Sequence, residues 1–384
     1  MRKILVVNAG SSSVKFAVFA GGVELLSGSA SEIGGASRLK LGAHVQALDM
    51  PDHRAAVAAS LAALAQAGHG VDSLSAAAHR VVHGGQGFVA PCRITDAVLA
   101  GIEACVPLAP LHNPANLAAI RALSALAPAL PQFTSFDTAF HASQPEVATR
   151  YAVPDEVAAL GIRRYGFHGI SYASLVQTMA ARGPLPRRLL ALHLGNGASL
   201  CAVLDGRSVA TTMGYSPLEG LTMGTRSGAI DGNAVLRMAE VYGIEGAARI
   251  LNKQSGLLAL GGASDMRALG QAGTPKAAFA RMHFIYWAAR HAGSMIAAMG
   301  GIDALAFTGG IGENDAGIRR GIMAALGFTG LLVDDAANAR GAEKLHDTKS
   351  LVDAWVVPAA EEAHIAAEAL EVMDVEDEDD TATD

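Results

Sequence analysis

Two arginines, one histidine and one aspartate, each set among small or apolar residues, are the side chains best placed to do chemistry in this sequence. Arg80 sits in His79-Arg80-Val81-Val82-His83-Gly84-Gly85, and Arg226 in Met223-Gly224-Thr225-Arg226-Ser227-Gly228. His168 lies between glycines in Gly166-Phe167-His168-Gly169, and Asp137 lies in Phe136-Asp137-Thr138-Ala139-Phe140-His141. Arginine offers planar fork donors that suit carboxylates and phosphates. An imidazole flanked by glycines is unobstructed. Each feature alone has a plainer meaning: a surface arginine at a strand end, a structural histidine, a solvated loop arginine, an aspartate that caps a helix.

Three glycine turns add a second kind of chemistry. Val7-Asn8-Ala9-Gly10-Ser11-Ser12-Ser13 and Gly195-Asn196-Gly197-Ala198 each join two apolar runs, and Gly309-Gly310-Ile311-Gly312-Glu313-Asn314 follows a third. Backbone N–H groups in such turns can approach phosphate oxygens, with Lys15 as a nearby point charge. A lone glycine turn is most simply a hairpin. No GxxxxGK[ST] occurs, and no GxGxxG opens a helix after a strand, so neither a P-loop nor a dinucleotide-binding turn is expected.

The elements that must position these residues read as short apolar strands over 4–7, 14–19, 76–82, 189–194, 199–204, 305–308 and 354–357. Asn113-Pro114 predicts a helix start with a stop before Pro128; Thr274-Pro275 opens a long helix that ends at Gly300. Asp231 and Asn314 read as further caps, with helices to about Gly243 and Leu326. Mixed strands and helices in this order indicate an α/β class. The first two glycine turns also begin similar hairpins: Gly10 pairs with Gly195, Ala17 with Ala202 and Val18 with Val203, which reads as a duplicated domain.

Composition narrows the classes further. At 384 residues, 51% hydrophobic and 17% charged, the chain can bury large cores. No apolar run reaches the ~18 residues of a membrane helix. The apolar run before Asn8, residues 4–7, is only four residues long, too short for the apolar stretch of a signal peptide. Cys92, Cys105 and Cys201 show no CxxC spacing, so neither a disulfide framework nor a zinc site is expected. A cytoplasmic protein is the expectation. Of the net charge of −7, six units come from residues 376–384, whose six carboxylates leave a body of 30 acids against 29 bases. There is no basic surplus for nucleic acid, and the tail is expected to be disordered.

Taken together and in order, these motifs resemble the acetate/propionate/butyrate kinases, the acetokinase family within the sugar kinase–actin–chaperone ATPase superfamily. Ala109-Pro110-Leu111-His112-Asn113-Pro114-Ala115-Asn116, His193-Leu194-Gly195-Asn196-Gly197 and Pro217-Leu218-Glu219-Gly220 belong to the same set, and the resemblance runs from Ile4 to about Glu371. It implies two duplicated ribonuclease-H-like (actin-like ATPase) α/β domains with an interdomain cleft. One would cover about 1–143, with a helix over 361–375 packing back on it, and the other about 144–360.

The activity implied is reversible, direct in-line transfer of phosphate between ATP and acetate, giving ADP and acetyl phosphate with Mg2+ or Mn2+. By motif match, Asn8 and Glu361 would sit around the metal. The nucleotide would be held by Lys15, by His193, Leu194, Gly195, Asn196 and Gly197, by Asp265, Met266 and Arg267, and by Gly310, Ile311, Gly312, Glu313 and Asn314. Arg80 would bind the carboxyl group beside Asp137, while His168 and Arg226 would brace the transferred phosphoryl group. The methyl group would lie against Val82, Leu111, Phe167 and Pro217. A homodimer, with no membrane or nucleic-acid partner, is implied as well. The rivals are a propionate or other short-chain acyl kinase, a hydrolysing ATPase of the same superfamily, and a non-enzymatic nucleotide-binding regulator.

The chemistry asks for these residue types. A loose phosphoryl transition state spreads charge over three oxygens, so positioning and cationic stabilisation dominate. Acetate is already ionised at neutral pH, so Asp137 reads as orienting an arginine or the metal shell rather than as a base. Three departures from the family pattern stand out: Ala229-Ile230-Asp231-Gly232 lacks a carboxylate, Pro358-Ala359-Ala360-Glu361-Glu362 lacks two polar neighbours of Glu361, and Tyr172 replaces a frequent second histidine.

Overall fold

The computed structural model describes residues 1–382, with side chains described to residue 378. These residues form two compact units, Met1–Phe140 with the segment from Ala360 onward, and His141–Ala359.

The first unit is built on an eight-stranded sheet. Its order is His44–Ala47, Arg38–Leu41, Val23–Ser31, Ser13–Ala20, Lys3–Gly10, Ala76–Val81, Gln132–Phe136 and Cys92–Arg93. The strands up to Lys3–Gly10 pair antiparallel; Lys3–Gly10, Ala76–Val81 and Gln132–Phe136 run parallel. Leu5 and Val7 share a core with Val14, Phe16 and Val18 and with the helices His53–Gln66 and Asn113–Leu126. Alternation along the strand turns Ile4 and Val6, also buried, to the opposite face. The final helix packs against the three parallel strands and buries Ile365, Ala366 and Ala369.

The second unit has a five-stranded sheet in the order Arg207–Thr211, Ala198–Leu204, Arg188–Leu194, Ala304–Thr308 and Asp353–Val356. Three antiparallel strands are followed by two parallel ones, the same order and directions as the middle five strands of the first sheet. The repeat read from Gly10 and Gly195 is therefore a repeat of topology. Helix Pro275–Met299 lies on this sheet and buries Ala280, Phe284, Ala288 and Ala292. It starts on the Thr274 cap and ends at Gly300, as the sequence predicts.

Four expectations need correction. His112, not Asn113, precedes the helix that contains Pro114, because the Asn113 amide is engaged elsewhere: it accepts from His83 N (3.1 Å) and donates to His83 O (3.0 Å). Gly309–Asn314 is a short helix rather than a loop, and the next helix, Ala316–Ala325, is capped by Asp315, which accepts from Ile318 N. The helix from Gly232 does not end at Gly243 but breaks there, at φ 72°, and resumes to Lys253. The acidic end is helical to Ala382, continuing Glu361–Ala382; Thr383 and Asp384 of the expected disordered tail lie outside the described residues. Arg2 and Arg93 explain that continuation, since Arg2 pairs with Asp374 and Asp377 and Arg93 pairs with Glu376, relieving like-charge repulsion.

Candidate active site

In the first unit, register brings three polar side chains to one end of the sheet. Val7 is paired with His79 and Val81 with Phe136, so Asn8, Arg80 and Asp137 stand together at the carboxyl ends of parallel strands. Ligands of open α/β sheets gather at such ends. Arg80 donates from Nε to Asp137 Oδ1 (3.0 Å), from Nη2 to Oδ2 (2.5 Å), and from Nη1 to Asn8 Oδ1 (3.2 Å). Asp137 is 2% exposed and Arg80 23%, so this bidentate pair is shielded yet leaves one edge of the guanidinium open. Burial opposes the Arg80 charge, but the Asp137 carboxylate, with Glu361 and Glu362 nearby, raises its pKa above the ordinary value.

The main chain around Arg80 is fixed by side chains. Asn116 accepts from Val82 N (3.1 Å) and donates to Ala9 O (2.7 Å), and Thr138 Oγ1 accepts from Gly84 N (3.1 Å). Asn113 and Asn116 were missed as site supports; their spacing of three on one helix was the available signal. Val82 is buried just beyond the strand, Leu111 is half exposed, and Lys15 is exposed on the strand facing Asn8. Burial lowers the pKa of His79 and of His83 to about 4, so both are neutral near pH 7.

The oxygen donors here suit a hard cation. No group of three His, Cys, Asp or Glu that could cage a metal occurs among the described residues. The Asn8 amide oxygen, which accepts from Arg80, and the Glu361 carboxylate, close enough to act on the Arg80 charge, are oxygens of the kind Mg2+ takes. That ion takes one or two protein oxygens and completes its shell with phosphates and water.

In the second unit, His168 precedes helix Gly169–Arg182 in a left-handed conformation (φ 60°, ψ 23°). A non-glycine residue held there is strained, and such strain gathers at functional sites. Its Nδ1 bonds Ser199 Oγ (2.9 Å), and its ring stacks on His193 at 4.1 Å between centroids. Arg226 donates from Nη1 to Pro217 O (2.5 Å), and burial lowers its pKa to about 10, leaving it charged at neutral pH. A Cβ on Gly197 would meet Arg226 Nη2 at 2.8 Å and His168 Nε2 at 3.2 Å. The two side-chain ends thus approach one spot over the turn, which a side chain on Gly197 would crowd.

The Arg226 loop is tied to that turn. Gly224 N donates to Asn196 O (3.0 Å), and Met223 N to Arg226 O (3.2 Å). Gly256 (φ +64°) closes the loop from below, since a Cβ there would meet Met223 O at 2.1 Å and Arg226 O at 2.6 Å.

Beside these residues, Gly195, Asn196, Asp265, Met266, Arg267, Gly310, Ile311 and Asn314, together with Asp315, line a cavity of about 370 Å³. Eight of the nine are residues the sequence resemblance assigns to the nucleotide. Leu194 and Gly312 are buried beneath it, and Phe167 is buried too. Glu313 braces the main chain, accepting from Gly309 N and Ala359 N (both 3.0 Å). Arg319, fully buried and unnoticed in the sequence, donates to the carbonyls of Gly312 (2.9 Å) and Glu313 (2.7 Å) and fixes the end of that short helix.

Comparison with known proteins identifies the family. A family model described as the acetokinase family matches residues 3–367. The acetate kinase of Deinococcus deserti is 44% identical, over 96% of this chain and 97% of that protein. Among solved structures, Porphyromonas gingivalis acetate kinase superposes with a TM-score of 0.89 at 36% identity, covering 97% of this chain and all of that one. A propionate kinase from Francisella tularensis superposes at 0.92 with 37% identity, covering 96% and 99%.

Proposed function

Since the chain belongs to the acetokinase family, we propose that this phosphotransferase moves the γ-phosphoryl group of ATP to the carboxylate of acetate, giving ADP and acetyl phosphate reversibly. The observation that carries the reading is the convergence of His168 Nε2 and Arg226 Nη2 over the Gly197 turn, in the unit that holds the nucleotide-sized cavity. Two donors on one spot suit the three oxygens of a phosphoryl group in flight.

Each residue then has a task. Arg80 grips the acyl carboxylate with its open edge, and Asp137 and Asn8 hold the guanidinium in plane. Acetate is ionised at neutral pH, so nothing needs to remove a proton. Val82 contacts the acyl methyl. The cavity seats the nucleotide through Gly195, Asn196, Asp265 and Gly310, and Lys15 adds positive charge. Asn8 and Glu361 would hold Mg2+ or Mn2+, which supplies neutralisation of phosphate charge when bound. The oxygen attacks the phosphorus in line with the departing ADP, with no enzyme-bound phosphate.

Two wider features belong to the same reading. Exposed Phe279, Met282 and Tyr286 share one face of helix Pro275–Met299 by their spacing, and we assign that face to a second copy in a homodimer. Three free cysteines fit a reducing, cytoplasmic setting.

The test is acyl hydroxamate trapping with ATP and acetate, propionate or butyrate, compared by kcat/KM. Acetate is expected to lead. A lead for propionate would move the assignment to its neighbouring activity, and hydrolysis without acyl phosphate would remove the kinase reading.

A further inference from the structure

His168 is held by more than its neighbours in sequence. Its Nδ1 lies 2.9 Å from Ser199 Oγ, and Ser199 Oγ lies 2.5 Å from the Tyr172 hydroxyl. Tyr172 and Ser199 are both wholly buried. The three groups form a line that ends at the His168 ring, whose other nitrogen, Nε2, faces the Gly197 turn beside Arg226.

The protons in that line can be assigned. Burial, with the Cys201 thiol close by, holds the Tyr172 pKa well above its ordinary value, so the phenol keeps its proton. A buried phenol proton needs an acceptor, and Ser199 Oγ stands 2.5 Å from the Tyr172 oxygen. At that distance the phenol donates to Ser199 Oγ. Ser199 has one hydroxyl proton, and having accepted from Tyr172 it donates to His168 Nδ1. A neutral imidazole that accepts at Nδ1 carries its proton on Nε2. The ring plane is set separately, by stacking on His193, whose Nδ1 lies 2.8 Å from Ser171 Oγ.

We propose that Tyr172 and Ser199 are positioning residues that fix the tautomer of His168, so that Nε2–H points as a donor at the transferring phosphoryl group. The relay itself rests on the hydrogen bonds above; its catalytic consequence rests on the function proposed for the site. The opposite tautomer would present a lone pair to an anion, which repels where a donor attracts. Reversing one proton in a buried line therefore turns a stabilising group into an opposing one.

The experiment reads the tautomer and the turnover separately. In protein labelled with 15N-histidine, with His168 assigned by loss of its signals in His168→Asn, wild type is expected to show an unprotonated Nδ1 and a protonated Nε2 at pH 7.5. Tyr172→Phe keeps the ring and removes the hydroxyl. It is expected to give a mixture of tautomers, a kcat about tenfold lower, and KM values for acetate and ATP within twofold of wild type. Ser199→Ala is expected to shift the tautomer further. A protonated Nδ1 in wild type overturns the relay without any variant. So does a Tyr172→Phe protein with an unchanged tautomer. A tautomer that shifts while kcat stays within twofold overturns the catalytic consequence. If no acyl phosphate forms even in wild type, the function fails, and the spectra still decide the relay.

Discussion

Asp137→Asn separates orientation from proton transfer at the Arg80 cluster. The substitution keeps size and shape, but its amide nitrogen cannot accept from Arg80 Nη2, so the 2.5 Å contact to Oδ2 is lost while the 3.0 Å bond to Oδ1 can survive. A hydrogen bond to a charged group contributes about 1.5–3 kcal/mol. At about 1.4 kcal/mol per decade, kcat/KM for acetate should fall by roughly 10- to 150-fold. Breaking a fully buried ion pair costs ~3–5 kcal/mol of stability. Here the loss should be smaller, because Arg80 is 23% exposed and keeps Asn8, Glu361 and Glu362 near it. Hydroxamate kinetics from pH 6 to 9, with urea unfolding of the same samples, give both quantities. An orienting role predicts that the variant keeps the pH profile of wild type. A loss beyond 10,000-fold with the acid limb abolished would mean that Asp137 removes a proton, and a loss under threefold would mean that it does not position Arg80.

Arg226→Ala should lower kcat by about two to four orders of magnitude, as loss of a transition-state donor does, with the Tm held, since the cation is costly to bury; kcat within threefold of wild type removes it from the reaction. Val82→Ala removes two methyl-sized groups worth ~0.8 kcal/mol each, so the butyrate-to-acetate kcat/KM ratio should rise roughly three- to thirtyfold. If the ratio stays fixed while Tm falls, Val82 is core only. Stability should also drop in mild acid. His79 and His83 are held near pKa 4 in the fold but rise to 6.5 when unfolded, so the unfolded state binds the extra protons. Their contribution is complete above pH 6.5 and is lost as pH falls toward 4, at about 1.4 kcal/mol per pH unit for each histidine. Urea midpoints that stay level from pH 7 to pH 5 contradict this.

What the sequence discloses depends on how local the cause is. The hairpins at Gly10 and Gly195 are legible because apolar runs flank small-residue turns, and helix Pro275–Met299 because Thr274, Pro275 and Gly300 punctuate it. Strand Gln132–Phe136 escapes notice: Gln132, Thr134 and Ser135 are polar yet buried, since both faces of the sheet are covered there. Val23–Ser31 escapes for the opposite reason, as its exposed Glu24 and partly buried Ser27 and Ser29 show no continuous apolar pattern. Arg80, Asp137, His168 and Arg226 stand out by the small residues around them. Their supports do not. Ser199, Asn116 and Arg319 act over 12 or more residues of separation or from inside the core, where only the folded register reveals what they touch.

The most direct test follows phosphorus itself. Purified protein with Mg2+, ATP and acetate, watched by 31P NMR, should show acetyl phosphate and ADP appearing in equal amounts, and adding ADP should regenerate ATP at the expense of acetyl phosphate. ADP accompanied by inorganic phosphate, at a rate indifferent to acetate, would contradict the assignment of this site to acyl phosphate formation.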